Sequence, residues 1–237
     1  MAVIDLKNAT IRVKDGYSKT GAVNNAAGYT AGQSTIAVDG FTGTAVVGDF
    51  IRFAGDNTYY EITAKTDTLG ALTQVTISPV LVEALIDNQV ATVGPHLVEA
   101  KLGEGNLTYS EKRKMEYVLD RGRLDTVKEG DQEPVDVRMD FTWEFLRAAT
   151  ADPPTLEDAL KQRGNASSWV SSSADPCEPY AVDIEIEYAP PCGGYDWEII
   201  TLADFRWEDL AHDLRAGQVS VTGKCNITQA SVTRVAA

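Results

Sequence analysis

GEGNLTYSEKRKMEYVLDRGRLDTVKEGDQEPVDVRMDFTWEFLR, residues Gly103 to Arg147, joins a charge-rich segment to a long alternating one. From Val135 the odd positions are Val135, Val137, Met139, Phe141, Trp143 and Phe145, and the even ones are Asp136, Arg138, Asp140, Thr142 and Glu144. A period of two gives a strand one apolar face and one wet face, so 135–147 is expected to be a strand with a core on one side. The segment before it, Tyr109 to Gly130, keeps no sustained period, yet it carries Met115, Tyr117, Val118 and Leu119, which a purely solvated loop does not need. Loops this long are usually functional or disordered. An irregular arm at 109–130, ordered only against a neighbouring copy of the chain, is the expected structure.

Outward from this stretch the chain reads as mainly β. Asn8 to Asp15 is a first strand closed by Gly16, and GAVNNAAGYTAGQST after it is small and polar, as a linker is. Five strand-like segments follow at close spacing (Thr35–Val38, Asp49–Ala54, Tyr59–Lys65, Leu72–Ser78, Gln89–Val93), separated by Asp39-Gly40, Gly55-Asp56-Asn57 and Gly70. Such spacing suggests a small barrel or sandwich. Residues 21–95 are thus expected to be an inserted β module, splitting a core domain of residues 1–20 and 96–237. Val80 to Ile86 reads as a single helical turn inside that module.

After Asp152-Pro153-Pro154, Thr155 is placed as a helix N-cap, with Leu156, Ala159 and Leu160 on one face and Gly164 just past the end. Tyr180–Tyr188, Trp197–Trp207 and Gln218–Thr228 read as strands, and Leu210–Arg215 as a further short turn of helix. The fold class expected is two packed antiparallel sheets with one flanking helix, plus the inserted module.

The chain has 237 residues, 21 Lys and Arg against 35 Asp and Glu, and a net charge of -14. An acidic surface of this size repels a DNA backbone and an anionic membrane. The start, MAVIDLKNATIRV, has no basic region followed by an apolar core, and no apolar run reaches the length of a bilayer span. Synthesis in the cytoplasm and no membrane insertion are the expectations. Cys177, Cys192 and Cys225 are an odd number in a reducing compartment, which suits buried thiols better than a disulfide framework.

Asp183, Glu185 and Glu187 alternate with Val182, Ile184 and Ile186, so three carboxylates share one strand face. Three readings are open: a solvated face, the acidic lining of a channel, or a metal or catalytic site, for which no further convergent ligands are evident. The channel reading gains from the surrounding charge, since Asp175 to Asp213 holds eleven acids against Arg206 alone. The arm has the opposite sign: from Glu111 to Lys128, six bases (Lys112, Arg113, Lys114, Arg121, Arg123, Lys128) outnumber four acids. That complementarity would set register between copies. Gly103-Glu-Gly lacks the lysine and helix of a phosphate loop. His96 and His212 stand in no zinc or triad signature, a zinc site from Cys177, Cys192, Cys225 and His212 is a remote alternative, and Ser171-Ser-Ser has no partnered base. No enzyme activity, cofactor or metal is expected.

Leu102-Gly-Glu-Gly-Asn-Leu-Thr-Tyr-Ser-Glu, Leu119-Asp-Arg-Gly-Arg-Leu-Asp-Thr-Val, Gly130-Asp-Gln-Glu-Pro-Val and Phe141-Thr-Trp-Glu-Phe, continued by Ala166-Ser-Ser-Trp, Cys177-Glu-Pro-Tyr and Val219-Ser-Val-Thr-Gly-Lys-Cys-Asn, together resemble the major tail (tail tube) proteins of long-tailed bacteriophages. The likeness covers the first twenty residues and most of the chain after about residue 96. It implies a virion protein whose partner is itself: six copies close into a ring through sheet edges, and rings stack into a hollow tail tube for genome ejection. Other tail proteins would cap the tube ends, and DNA would pass without specific binding. Asp183, Glu185 and Glu187 would line the lumen. Lys112, Arg113, Met115, Tyr117, Leu119, Arg121, Arg123 and Lys128 would form the subunit interface, with the inserted module outside. The rival expectation is a soluble β-sandwich binding module that recognises a glycan, with Trp169, Trp197 and Trp207 as stacking platforms.

Overall fold

The computed structural model describes residues 9–102, 106–143, 154–188 and 197–235. Glu144 to Arg147 of the expected long strand, Gly103 to Gly105, Asp152, Pro153 and Cys192 lie outside them. The chain divides into two compact units, Asp15–Leu97 and the remainder, Met1–Lys14 with Val98–Ala237. The smaller unit starts at Asp15, and the expected insertion at residue 21.

In chain order, β1 (Ala9–Lys14) belongs to the larger unit. The smaller unit holds β2 (Lys19–Val23), β3 (Thr35–Asp39), β4 (Phe50–Phe53), β5 (Tyr60–Thr68), β6 (Ala71–Ser78) and β7 (Val90–Val93). The larger resumes at Val98 within β8 (Leu97–Glu99) and continues with β9 (Leu107–Ser110), β10 (Met115–Asp120), β11 (Arg123–Glu129) and β12 (Val135–Thr142). Helix α1 (Leu156–Lys161) follows, then β13 (Val182–Tyr188), β14 (Trp197–Asp213), β15 (Gln218–Cys225) and β16 (Ser231–Val235). The protein is mainly β, with an eight-stranded antiparallel sheet, a six-stranded closed barrel, a two-stranded sheet and one short helix among the described residues.

The barrel runs in the order β2-β3-β6-β5-β4-β7, and β7 closes onto β2. Closure leaves no open strand edge. Alternation sends Ile36, Val38, Ile51, Phe53, Tyr60, Ile62, Ala91 and Val93 inward, where all are buried. The GAVNN stretch, expected as linker, supplies part of β2 instead. No helical turn forms at 80–86. Leu81 donates its N–H to the Gln33 carbonyl (2.8 Å), and Leu85 and Tyr29 exchange backbone bonds (2.8 and 2.9 Å). The neighbouring segment thus satisfies the backbone groups a helix would pair internally, while Leu81 and Leu85 are buried in the barrel core.

The large sheet has the order β8-β1-β13-β14-β15-β12-β9, with β16 also on β14. Its 17-residue strand β14 serves two halves. Residues Glu198 to Phe205 pair with β13, and Trp197 to Thr201 pair on the other edge with β16. Beyond Phe205 the strand takes β15 as partner, from Phe205↔Cys225 to Asp213↔Gln218. The helical turn expected at Leu210–Arg215 is therefore mostly strand, because β15 offers a ladder up to Asp213. Val135, Val137, Met139 and Phe141 of β12 are buried, with Ile11, Val13, Ile184, Leu202, Val219 and Val221, so both halves contribute to one core. Helix α1 adds Leu156, Ala159 and Leu160 to it. Thr155 caps the helix as expected, accepting from the Asp158 N–H at 3.2 Å, and Gln162 ends it in the left-handed conformation.

The backbone is irregular around the change of partner along β14. Asp204 has φ 55°, and the register shifts at Val182/Ile184 and again at Trp207/Asp209, where Glu208 is the extra residue. Gly223 lies opposite Trp207, and a Cβ there would sit 2.1 Å from the Arg206 carbonyl oxygen and 2.8 Å from the Trp207 Cα. Both neighbours are backbone and cannot turn away. The Gly223→Ala variant is expected to lose about 1–3 kcal/mol of stability, as overpacked sites do. Tryptophan emission during urea unfolding measures it, because all four tryptophans lie in the larger unit.

Candidate functional site

The segment expected as an irregular arm is a β-hairpin. β10 and β11 pair from Met115↔Glu129 to Asp120↔Arg123, and the connection is the two-residue turn Arg121-Gly122. Both have positive φ, 48° and 82°, the combination whose twist matches a right-twisted ribbon. A register shift after Val118 leaves Asp125 as an extra residue. Partners across an antiparallel pair share a face, so Tyr117 with Val127 and Leu119 with Leu124 form an apolar face beside Met115. Glu116 with Lys128, Val118 with Thr126 and Asp120 with Arg123 form the other. Every residue of both strands is exposed, including Tyr117 at 62%, Leu119 at 60% and Leu124 at 71%.

Among the described residues, the hairpin's ties to the rest of the chain lie at its base. Lys112 pairs with Asp136, Arg113 with Glu129 (3.1 Å) and Lys114 with Asp131 (3.7 Å). Gly130 donates its N–H to the Lys114 carbonyl, and the Glu111 carboxylate accepts from the Ala230 N–H at 2.8 Å. The Lys112 hydrogen bond holds the Asp136 carboxyl below its ordinary range. Toward the tip, Arg121, Arg123 and Lys128 make no ion pair among the described residues. Of the expected interface residues, the structure thus gathers all eight on this hairpin or its base, with the apolar ones on one face and Lys112 and Arg113 already engaged within the chain.

The acidic strand face is not a bare wall. Register places Arg12 opposite Glu185 and Lys14 opposite Asp183. Arg12 bonds Glu187 and lies 3.4 Å from Glu185, while Lys14 donates to Glu185 at 2.5 Å. Glu185 is only 5% exposed. Asp183 accepts the Asp204 N–H at 3.0 Å, and burial pushes its carboxyl above the ordinary value. The three carboxylates do share one face, as the alternation implied, but two cations of β1 offset them. Glu185 is therefore not the freely solvated residue that the alternation alone suggests, and no single-strand reading reveals a partner more than 170 residues away.

Each histidine is held by carboxylates. His212 Nε2 lies 3.3 Å from Glu157, which also receives Lys161 and Arg163. Burial works to raise the Glu157 pKa, but the bonds from Lys161 and His212 and the nearby cations outweigh it and hold the carboxyl low. His96 lies between Asp15 and Asp49. Cys225 is buried, its thiol pushed up to about 12 by desolvation and by Asp183 and Asp204, whereas Cys177 is exposed. No group of three or more metal-ligating side chains occurs among the described residues. Of the aromatic platforms considered, Trp169 is buried in the core, and Lys161 lies over the Trp207 ring at 5.8 Å. No protein-family model, curated protein or solved structure matches the chain.

The hairpin was legible in part: Arg121-Gly122 between two acid-and-apolar runs is a turn signal, but the extra Asp125 breaks the period of two that would have announced the strands. The ion-paired face yields a direct test. Glu185→Lys is expected to destabilise the larger unit by about 3–5 kcal/mol, because it sets a third cation beside Arg12 and Lys14 in a buried position. A freely solvated wall residue would change stability by less than about 0.5 kcal/mol. The urea midpoint from tryptophan emission distinguishes the two.

Proposed function

We propose that this chain is a structural virion protein that polymerises as stacked hexameric rings into a bacteriophage tail tube, a conduit for genome ejection. The observation that carries the reading is the projecting hairpin with one unpartnered apolar face. A two-stranded ribbon is marginal in water by itself, and Met115, Tyr117, Leu119, Leu124 and Val127 all remain exposed. Docking on a second copy would supply the missing layer, and the basic excess of the arm suits a partner with a net charge of -14.

Further support comes from the sheet edges. β8, β9 and β16 each end the hydrogen-bonded order on one side, and pairing edges around a ring is a way to cover them. The sequence resemblance points to the same assembly. In this reading the hairpin docks as a preformed, base-anchored ribbon rather than by folding on contact. The repulsion that keeps DNA from adhering comes from the chain's overall acidity rather than from Asp183, Glu185 and Glu187 alone.

Replacing both Tyr117 and Leu119 with Asp is expected to abolish tubes and rings in negative-stain electron microscopy and leave a monomer in sedimentation. The far-UV circular dichroism and melting of that monomer should stay close to the parent's, since both side chains are exposed and neither belongs to the core. Normal tubes from this variant would overturn the reading. Arg121→Glu with Arg123→Glu is expected to slow tube growth most at low salt, because screening weakens the attraction they provide.

A further inference from the structure

Asp15 and His96 stand near the two ends of the barrel unit and are 81 residues apart in sequence. The His96 N–H donates to Asp15 Oδ1 (2.8 Å), Nδ1 lies 2.7 Å from Asp15 Oδ2, and the Asp15 N–H donates to the His96 carbonyl (3.1 Å). The other ring nitrogen faces Asp49, just before β4, at 3.4 Å. Tyr17 stacks on the imidazole with centroids 4.5 Å apart, and Lys19 of β2 sits over the Tyr17 ring. The Asp15 side chain is fully buried and that of Asp49 nearly so. Asp49 also accepts the Val46 N–H at 2.8 Å, which fixes its orientation.

Both ring nitrogens point at carboxylate oxygens, which accept and cannot donate. A neutral imidazole has one N–H and one lone pair, so it satisfies one carboxylate and turns a lone pair toward the other. Only the imidazolium fits both. We propose that Asp15, His96 and Asp49 form a protonation-dependent staple that ties together the two chain ends of the barrel and makes barrel stability pH-sensitive. This inference is independent of tail-tube assembly.

The direction follows from linkage. Burial works against the charge of His96, but its hydrogen bonds to Asp15 and Asp49 and their negative charges outweigh that and raise its pKa from 6.5 to about 9. Lys19 helps to lower the Asp49 pKa. A raised pKa means that the stabilisation is fully present below about pH 6.5, declines above it, and is lost as pH passes about 9.

The test uses the full chain. Its two histidines give two imidazole proton signals by NMR, and His96→Gln assigns them. The expected results are a His96 midpoint near 9 and, between pH 7 and 10, about a tenfold or greater loss of amide-exchange protection in β2 and β7 after correction for intrinsic rates. Tryptophan emission, which follows the larger unit alone, should show no matching transition. His96→Gln should remove the pH dependence of β2 and β7 protection. Should that variant fail to fold, Asp49→Asn, which keeps the ring, should lower the His96 midpoint. A His96 midpoint near 6.5, pH-independent protection in the parent, or an unmoved midpoint in Asp49→Asn would overturn the proposal.

Discussion

The larger unit depends on one strand having two successive partners on the same edge. β14 gives its first residues to β16 and its last to β15, while β13 takes the opposite edge of the first part. The left-handed residue Asp204 and the bulge at Glu208 lie beside the change of partner. Aspartate tolerates that conformation better than most residues, and here its amide is held by Asp183 and its carboxylate accepts from Ser172. Because the two halves share β14, the inner faces of β1 and β13 meet those of β12 and β15 in a single core.

Electrostatics divide along the same lines. In the sheet and on helix α1, largely buried carboxylates are paired with cations: Glu185 and Glu187 with Arg12 and Lys14, and Glu157 with Lys161, Arg163 and His212. Removing one member of such a set strands the others in a poor dielectric. The hairpin's ion pairs lie in water, where each is worth little. With no buried side chain along β10 or β11, the ribbon reorients at little cost in packing, which suits a docking element.

The barrel can stand within the sheet's chain because its ends are close. β1 and β8, which lead out to it and back, are neighbouring strands, and Ala100 donates to the Ile11 carbonyl at 2.8 Å. Holding Asp15 against His96 closes an 81-residue separation at the cost of a few direct contacts. Each further doubling of such a loop costs only about 0.6 kcal/mol, so the size of the insertion matters less than the proximity of its ends.

Sequence alone determined whatever rests on local periodicity. The alternation of Val135 to Phe141, the Thr155 cap and the short, turn-punctuated strands after Thr35 need only neighbouring residues to be read, and they specify a mainly β chain with a β-rich insertion. The tertiary structure decided everything set by irregular backbone or distant partners. Asp125 and Glu208 each add one residue to a strand, which shifts the period of two and hides the hairpin and the far half of β14. Glu185 has the pattern of a solvated residue, yet Arg12, 173 positions away, lies across from it in the buried ion-paired face. His96 has no local signature at all. Its character comes from Asp15 and Asp49, which reach it only when the barrel closes, because charge acts through space and not along the chain.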